Sequence, residues 1–451
     1  MSLPQELDRR RFLKLSSAGV LAAFLPLPAR AFSDAFPPLG TAPSRKITLG
    51  VIGCGWRGGE LLTNALGSNE IRVIATCDVN LENARSAAAL VDAFYGFRKA
   101  SGTSRGCSIY KDFRELLARS DLDAVIIATP DHWHALMTVA AVNQGKDVYV
   151  EKPLAKSIPE GRAVVDAVSR TGAVVQVGSQ QRSMRSFQRV VELVRNGHLG
   201  KIERVIVHLP RSMRFKGGDP VPPLAPEFPP VGFDYDLWLG PAPQVPYFAA
   251  RCDYNWRWSY DYSGGQVSNW IGHHYDIAAW ALGLQTQFPV EIFNARATFP
   301  KSNPLFNTAT DFSFSSRYAD GRVIDVLSSG SEEAGVAVRI EGSSGWVESS
   351  RSFFRTSSED LRRATIPAEG FRCLSVNHLS DFVHAVRNRT EPVCPVGDGH
   401  RIAAVAHLAN AAFLSGRSSV RFDADTERIL GAPDADALLV STFRAPWSLP
   451  V

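Results

Sequence analysis

No feature constrains the fold of this chain more than the stretch KITLGVIGCGWRGGELL, Lys46 to Leu62. Ile47 to Ile52 is an almost wholly apolar run without polar alternation, which reads as a strand buried on both faces. Gly53, Gly55 and Gly58 then give G-x-G-x-x-G where the strand gives way to a helix. In that context the first glycine allows the tight turn, the second lets the backbone approach a pyrophosphate, and the third permits close helix packing. The free N–H groups and partial positive charge of the helix start face the anion. A second strand, IRVIATCDVN, ends at Asp78, 20 residues beyond Gly58. A carboxylate there accepts ribose hydroxyls and repels a 2′-phosphate, so the spacing predicts a dinucleotide site with NAD favoured over NADP.

The alternation continues. DLDAVIIATP, KDVYVEKPLA and AVVQVGSQQR read as strands, with helices DHWHALMTVAAVNQG, ended by Gly145, and SIPEGRAVVDAVSRTG. Strands separated by helices of this length predict a parallel, doubly wound sheet with its functional loops at the strands' C-terminal ends. Two of those ends carry chemistry. TPDHWH offers Thr129, Pro130, His132 and His134, and EKPLA offers Glu151, Lys152 and Pro153. Apart from Pro153, these residues make up the expected cofactor-binding set together with Gly53, Gly55, Gly58 and Asp78, with Trp56 and Arg57 in the glycine turn, and with Gln180 after the last strand. Lys152 would extend from the sheet edge toward the nicotinamide, where a cation lowers the pKa of a substrate hydroxyl and steadies the developing alkoxide.

The chain's 451 residues are 45% hydrophobic and 21% charged, the makeup of a globular protein of two or three domains. A formal net charge of +4 with scattered Lys and Arg leaves no nucleic-acid footprint. Six cysteines without a C-x-x-C pair indicate neither a zinc site nor a redox dithiol. DRRRFLK, Asp8 to Lys14, resembles the twin-arginine export pattern, with Arg9 and Arg10 as the pair. The apolar run Leu15 to Leu27 is short for a bilayer span, and ARA at Ala29 to Ala31 offers a cleavage site. Residues 1–31 are therefore expected to be a signal segment and the protein to be periplasmic or otherwise exported. That route carries folded proteins, commonly with a cofactor already inserted.

In SNWIGHHYDIAAWALG, Ser268 to Gly283, helical spacing puts Asn269, His273, Asp276 and Trp280 on one face. A metal site, a general base and a structural histidine all fit that face. No third ligand at a plausible spacing accompanies the histidine pair, so metal is not expected.

These segments together resemble the glucose-fructose oxidoreductase, inositol dehydrogenase and rhizopine-catabolism (Gfo/Idh/MocA) family. GCGWRGG, CDVN, ATPDHWH, EKPLA, VGSQQR, DYDLWLGPAP, NWRWSYDYSGGQ, GHHYDIAAWALG and NHLSDFVHAVRNRTEP with GHRIAAVAHLANAAF carry the resemblance through nearly all of the mature chain. It implies a Rossmann dinucleotide-binding domain over residues 44–178. An α/β domain with a large open, mostly antiparallel sheet follows over 179–440, for substrate binding and oligomerisation. It also implies hydride transfer between NAD(P) and a sugar, cyclitol or related alcohol. Lys152 corresponds to the family's E-K-P lysine and His273 to its substrate-side histidine. Where many relatives have an aspartate four residues before that histidine, this chain has Asn269, and an amide cannot take a proton as a carboxylate does. His273 is then the expected base or hydrogen-bond partner. Asn269 would bind a substrate hydroxyl or orient the histidine, Asp276 would serve His273 from the next turn, and His274 is expected to be structural.

Ten prolines between Pro210 and Pro246 exclude regular structure over most of that segment, which is expected to wrap the surface near the cleft. In YNWRWSYDYSGG, Trp256, Trp258, Tyr260 and Tyr262 alternate at strand spacing, and Trp256 and Trp258 are candidate sugar contacts. Beyond Phe288, VEIFNARATF, DFSFSSRYADGRVIDVLSSG and AVRIEGSSGWVESS predict antiparallel strands, and GHRIAAVAHLANAAFLSGR an amphipathic helix closed by Gly416. An uncovered sheet face predicts a homo-oligomer. The leading expectation is an exported NAD-dependent oxidoreductase acting on a carbohydrate or cyclitol, its cofactor tightly bound and regenerated in place. The alternatives are an NAD-dependent glycosidase that oxidises transiently and eliminates, and a non-catalytic dinucleotide-dependent sensor, which Asn269 alone supports.

Overall fold

The computed structural model describes residues 46–97, 106–211, 225–301, 303, 305–328, 335–367, 369–371, 373, 375 and 377–449. The expected signal segment, and residues 212–224 of the proline-rich stretch, lie outside these.

Six strands, β1 (Ile47–Ile52), β2 (Ile71–Cys77), β3 (Ser108–Tyr110), β4 (Ala124–Ile127), β5 (Asp147–Val150) and β6 (Val175–Val177), form one sheet in the order β3-β2-β1-β4-β5-β6. Every pair is parallel. Strand order reverses between β1 and β4, the switch point outside which ligands bind in such sheets. AVII of β4 is buried on both faces, as a sheet covered by helices on each side requires. The helix Ile158–Thr171 shows how sequence sets the connections. Ser157 Oγ accepts from Glu160 N while donating to Glu160 Oε1 at 2.8 Å, and Gly172 ends the helix at φ +67°, its N–H bonded to Val168 O.

The second half is built on nine strands, β7 (Ile202–Leu209), β8 (Glu291–Thr298), β9 (Asp311–Arg317), β10 (Val323–Ser328), β11 (Ala337–Gly342), β12 (Gly345–Ser349), β13 (Phe354–Thr356), β14 (Val420–Asp423) and β15 (Arg428–Leu430). Their order is β13-β12-β11-β7-β10-β9-β8-β14-β15, antiparallel except for β7 with β10. One face packs into a core where Val205, Val207, Ile324 and Val326 meet Phe187 and Val190 from the helix Arg185–Arg195, Ile277, and Leu408. Each such side chain withdrawn from water contributes about 1.5–3 kcal/mol.

Two local readings need correction. The helix Val396–Leu414 is not amphipathic: Ala404, Val405, Leu408, Ala409 and Ala412 are all buried, because it packs against both the helix Ile158–Thr171 of the first half and β8 of the second. The aromatic run 254–262 is not a strand. Asn255–Trp258 forms a 3-10 turn, so alternation in sequence does not become alternation across a sheet.

Candidate active site

The turn after β1 is built by steric necessity. Gly53 has φ +83°, and a Cβ there would lie 2.8 Å from the Ala128 carbonyl. A Cβ on Gly58 would come within 1.8 Å of Gly53 O, so the helix Trp56–Gly67 can start only with glycine there. Gly55 differs, because a Cβ on it would meet nothing within 4 Å. Its α-face is open to the cavity, as approach of a pyrophosphate demands. Asp78 at the end of β2 accepts Cys54 N and Asn80 N, each at 2.8 Å, bracing the turn while its carboxyl lines the cavity. Burial pushes its pKa up, against those two hydrogen bonds.

At the end of β4, Thr129 and Pro130 lead into the helix Asp131–Asn143. His134 ties this loop to the neighbouring one, with Nδ1 at 2.7 Å from Pro153 O and Nε2 at 2.8 Å from Thr129 O. It lines the cavity, but both ring nitrogens are already committed to carbonyls. His132 is a correction to the cofactor-binding set. Its Nε2 lies 3.1 Å from Trp238 O, burial drives its pKa down to about 3, and it does not line the cavity. At the end of β5, Glu151 Oε1 accepts from Arg57 Nε at 2.8 Å and from Gln180 Nε2 at 2.7 Å. Gln180 also donates to the Tyr149 hydroxyl at 2.6 Å. The glycine-turn arginine, the E-K-P glutamate and Gln180 thus form one hydrogen-bonded unit.

Lys152 reaches across to the second half. Its Nζ donates to Asn269 Oδ1 at 2.8 Å and to Asn269 O at 2.9 Å. Burial lowers its pKa to about 8, with Glu151 and Asp131 opposing and Arg257 and Arg351 reinforcing the shift. His273 is 8% exposed and its Nδ1 is buried without a partner. Burial, then the charges of Lys152 and Arg351, hold its pKa well below the ordinary value, so the ring is neutral. His274 is buried between Trp270 and Phe187, away from the cavity.

The segment carrying these groups is not one uniform helix. Gly265–Trp270 and Asp276–Leu282 are α-helical, and Ile271–Tyr275 between them is a π turn. The extra residue that a π turn accommodates swings the following helix around its axis. Asp276 therefore does not serve His273 or face substrate, which corrects the reading from helical spacing. It is 1% exposed and takes Arg182 through both oxygens, Nη2 to Oδ1 at 2.6 Å and Nε to Oδ2 at 2.8 Å. Arg182 Nη1 also donates to Asp398 Oδ2 at 2.8 Å. Trp256 lines the cavity, but Trp258 is buried against Leu305 and Phe306 and does not line it, a third correction.

A single cavity of about 1290 Å³ holds the glycine turn, Asp78, Thr129, Glu151, Lys152, Gln180, Asn269 and His273. It also holds residues that the sequence did not single out. Asp131, 4% exposed, accepts from Ser263 Oγ at 2.5 Å; its place in the TPDHWH motif was the available signal. Gln181 lines the cavity too, and with its side-chain amide turned over it donates N–H to His273 O at 3.1 Å and accepts from Arg351 Nε at 3.1 Å. Arg257 had its place in the NWRWSYDYSGGQ motif as a signal, whereas Arg351, one basic residue in an irregular stretch, carried none.

Comparison with known proteins agrees with this architecture. Residues 47–179 match the oxidoreductase family's NAD-binding Rossmann fold and residues 186–449 its C-terminal alpha/beta domain. A glycosyl hydrolase family 109 protein of Shewanella pealeana is 30% identical over 207 residues, 44% of each chain. Inositol 2-dehydrogenase of Klebsiella pneumoniae is 31% identical over 165 residues, 34% of this chain and 43% of that one. The chain thus spans less than half the length of these curated relatives. The crystal structure of aldose-aldose oxidoreductase from Caulobacter crescentus complexed with glycerol shares the fold. It aligns at TM-score 0.59 and 20% identity, over 84% of this chain and all of that one. With both halves matched in order, the chain belongs to the Gfo/Idh/MocA oxidoreductase family and carries its NAD-binding Rossmann fold.

Proposed function

We propose that this chain is an NAD-dependent oxidoreductase transferring hydride between a secondary alcohol of a sugar, cyclitol or glycoside and a tightly bound nicotinamide. The observation that carries the reading is Lys152. Two of its three Nζ hydrogens go to Asn269, and its pKa of about 8 sits close to working pH. The remaining position on nitrogen, a lone pair when neutral and an N–H when charged, is what meets the substrate oxygen. A group poised this way takes the hydroxyl proton in oxidation and returns it in reduction. Neutral His273 is a second hydrogen-bond partner for the same hydroxyl.

The residues present fit the cofactor. Gly55 is open on its α-face, and Thr129 Oγ1 and His273 Nδ1 are buried polar atoms without partners on the cavity wall. When bound, the nicotinamide accepts and returns the hydride. The glycine turn and the helix start behind it would hold the pyrophosphate, and Asp78 the ribose, favouring NAD over NADP. If the protein is exported, as Arg9 and Arg10 suggest, little free nicotinamide is at hand, and the cofactor is regenerated in place by a second, reducible substrate.

A second reading rests on the likeness to the glycosyl hydrolase family 109 protein. A transient ketone acidifies the neighbouring C–H, and the same Lys152 and His273 would then assist loss of an aglycone before reduction. One experiment separates the two. The protein is denatured after incubation with sugars, inositols and aryl glycosides, and the released nicotinamide is identified with its redox state. Conversion of bound NAD to NADH with one sugar class supports the dehydrogenase. Aglycone release without net redox change supports the glycosidase, and absence of any nicotinamide refutes both.

A further inference from the structure

The end of the proline-rich stretch has a definite place beside the nucleotide site. Directly after Asp78, the first half pairs with a segment of the second. Leu81 N donates to Gly232 O at 3.0 Å and Asp234 N to Val79 O at 2.9 Å, which sets Asn80 opposite Phe233 in an antiparallel bridge. Gly232 takes φ +86°, so the chain turns onto that edge at a residue without a Cβ. Lys111, just after β3, adds an ion pair to Asp234 at 2.8 Å. Pro230, Phe233, Leu237 and Trp238 then line the same cavity as Asp78. A dinucleotide with its pyrophosphate at the glycine turn and a ribose at Asp78 carries its adenosine half out past the end of β2. Asn80 and Lys111, which follow β2 and β3, meet Phe233 at that end of the cavity.

This segment is held from two sides. Against the first half, Trp238 O accepts from Trp133 Nε1 at 3.1 Å, and a Cβ on Gly240 would run into the Trp133 ring. On its other side Arg444 donates Nη1 to Asp236 Oδ1 at 2.6 Å, Nη2 to Asp236 O at 2.9 Å and Nε to Gly240 O at 2.9 Å. Trp447 seats that stretch on the first half in turn, its ring edge-on to Trp133 at 4.8 Å and under Arg114 at 5.1 Å. Arg444 thus ties the segment to the nucleotide-binding half. It does not line the cavity, so its influence on a bound nucleotide passes through the segment it holds.

We propose that residues 230–240 form a strap over the adenosine half of the cofactor, with Phe233 as its contact and Arg444 as the positioning residue that keeps it closed. This rests on the nucleotide-binding part of the oxidoreductase reading and deepens it: the cofactor stays bound because the second half closes over its far end. Release requires the paired backbone, the Lys111–Asp234 ion pair and the bonds of Arg444 to open together. Loss of the charge-assisted bonds of Arg444 predicts roughly 10- to 100-fold faster release.

The test times the escape of radiolabelled NAD from the full chain into excess unlabelled NAD, for the native protein, Arg444→Ala, Arg444→Lys and Asp236→Asn. Calorimetry measures in parallel the affinities for ADP-ribose, which has the adenosine end, and for nicotinamide mononucleotide, which lacks it. In Arg444→Ala, NAD is expected to leave about 10-fold faster or more, with ADP-ribose weakened in step and the mononucleotide unchanged within about 2-fold. Arg444→Lys falls between, and Asp236→Asn shifts release the same way by less. Phe233→Ala weakens ADP-ribose and spares the mononucleotide. Should Arg444→Ala not fold, which its cofactor-free Tm reports, Asp236→Asn decides by the same criteria, since the Asp236 side chain is exposed. Release at the native rate in these variants, or equal weakening of both ligands, overturns the strap. A native protein that binds neither NAD nor ADP-ribose refutes the oxidoreductase reading itself, a result distinct from native binding that the variants leave untouched.

Discussion

Asn269→Asp is the substitution that tests the chemistry most directly. Asn269 Oδ1 lies 2.8 Å from Lys152 Nζ, so an aspartate oxygen would occupy the same place bearing charge. Coulomb's law at that separation, with an effective dielectric constant near 20, gives about 6 kcal/mol of attraction. Desolvation of the new carboxylate offsets several kcal/mol of it. What remains is an upward shift of Lys152 by roughly 1–3 pKa units, about 1.4–4 kcal/mol, from its present value of about 8. Lys152 is a base only when neutral, so oxidation rises with pH through its pKa, and reduction, which needs the protonated form, falls through it. The variant moves both limbs to higher pH. At pH 7, where about a tenth of Lys152 is neutral in the native protein, oxidation drops roughly 10-fold or more. The assay is the pH dependence of nicotinamide reduction in a single turnover, native against variant. Limbs that stay in place refute the assignment of the proton to Lys152. The same profile tests His273. Its pKa lies well below the ordinary value, so no limb is expected near pH 6.5, and one appearing there refutes its burial as a neutral ring.

The glycine turn separates stability from binding. Gly58→Ala drives a Cβ to within 1.8 Å of Gly53 O and is expected to destabilise the fold, seen as a lower Tm without cofactor. Gly55→Ala meets no protein atom, so its cofactor-free Tm should be unchanged while bound nicotinamide is lost. Asp276→Ala removes one partner of the buried Arg182 pair and is expected to cost about 3 kcal/mol of stability in denaturant unfolding, the low end for a buried pair because Asp398 remains. Asp78→Ser should raise the affinity for NADP relative to NAD, measured by exchange into the emptied protein. A homo-oligomer formed through the open face of the nine-stranded sheet predicts a light-scattering mass of at least twice that of the single processed chain; a monomer refutes it.

The parallel sheet was legible because its signals are local. A buried parallel strand is an apolar run, a phosphate turn needs glycines at fixed offsets, and a helix announces its ends with Ser157 and Gly172. The same holds for Lys152 at a strand end and for the five strands that lie between Glu291 and Ser349. Helical spacing misled for Asp276 because periodicity assumes an unbroken α-helix, and the π turn at Ile271–Tyr275 breaks it, its one glycine, Gly272, being equally compatible with a continuous helix. Strand alternation misled for Trp258, since aromatic spacing does not reveal that the backbone turns.

The sequence by itself determined the two sheets, the glycine turn and the places of Asp78 and Lys152 at strand ends, because each is written in contiguous residues whose spacing has one favourable geometry, while the expected pairing of Lys152 with His273 came from the family resemblance. Only the tertiary structure decided that Asn269 clasps Lys152 across 117 positions, that Arg182 claims Asp276 and that Arg257 and Arg351 converge on one cavity. Those contacts join segments far apart in the chain, and their energies come from burial and charge in a shared space that no local pattern encodes.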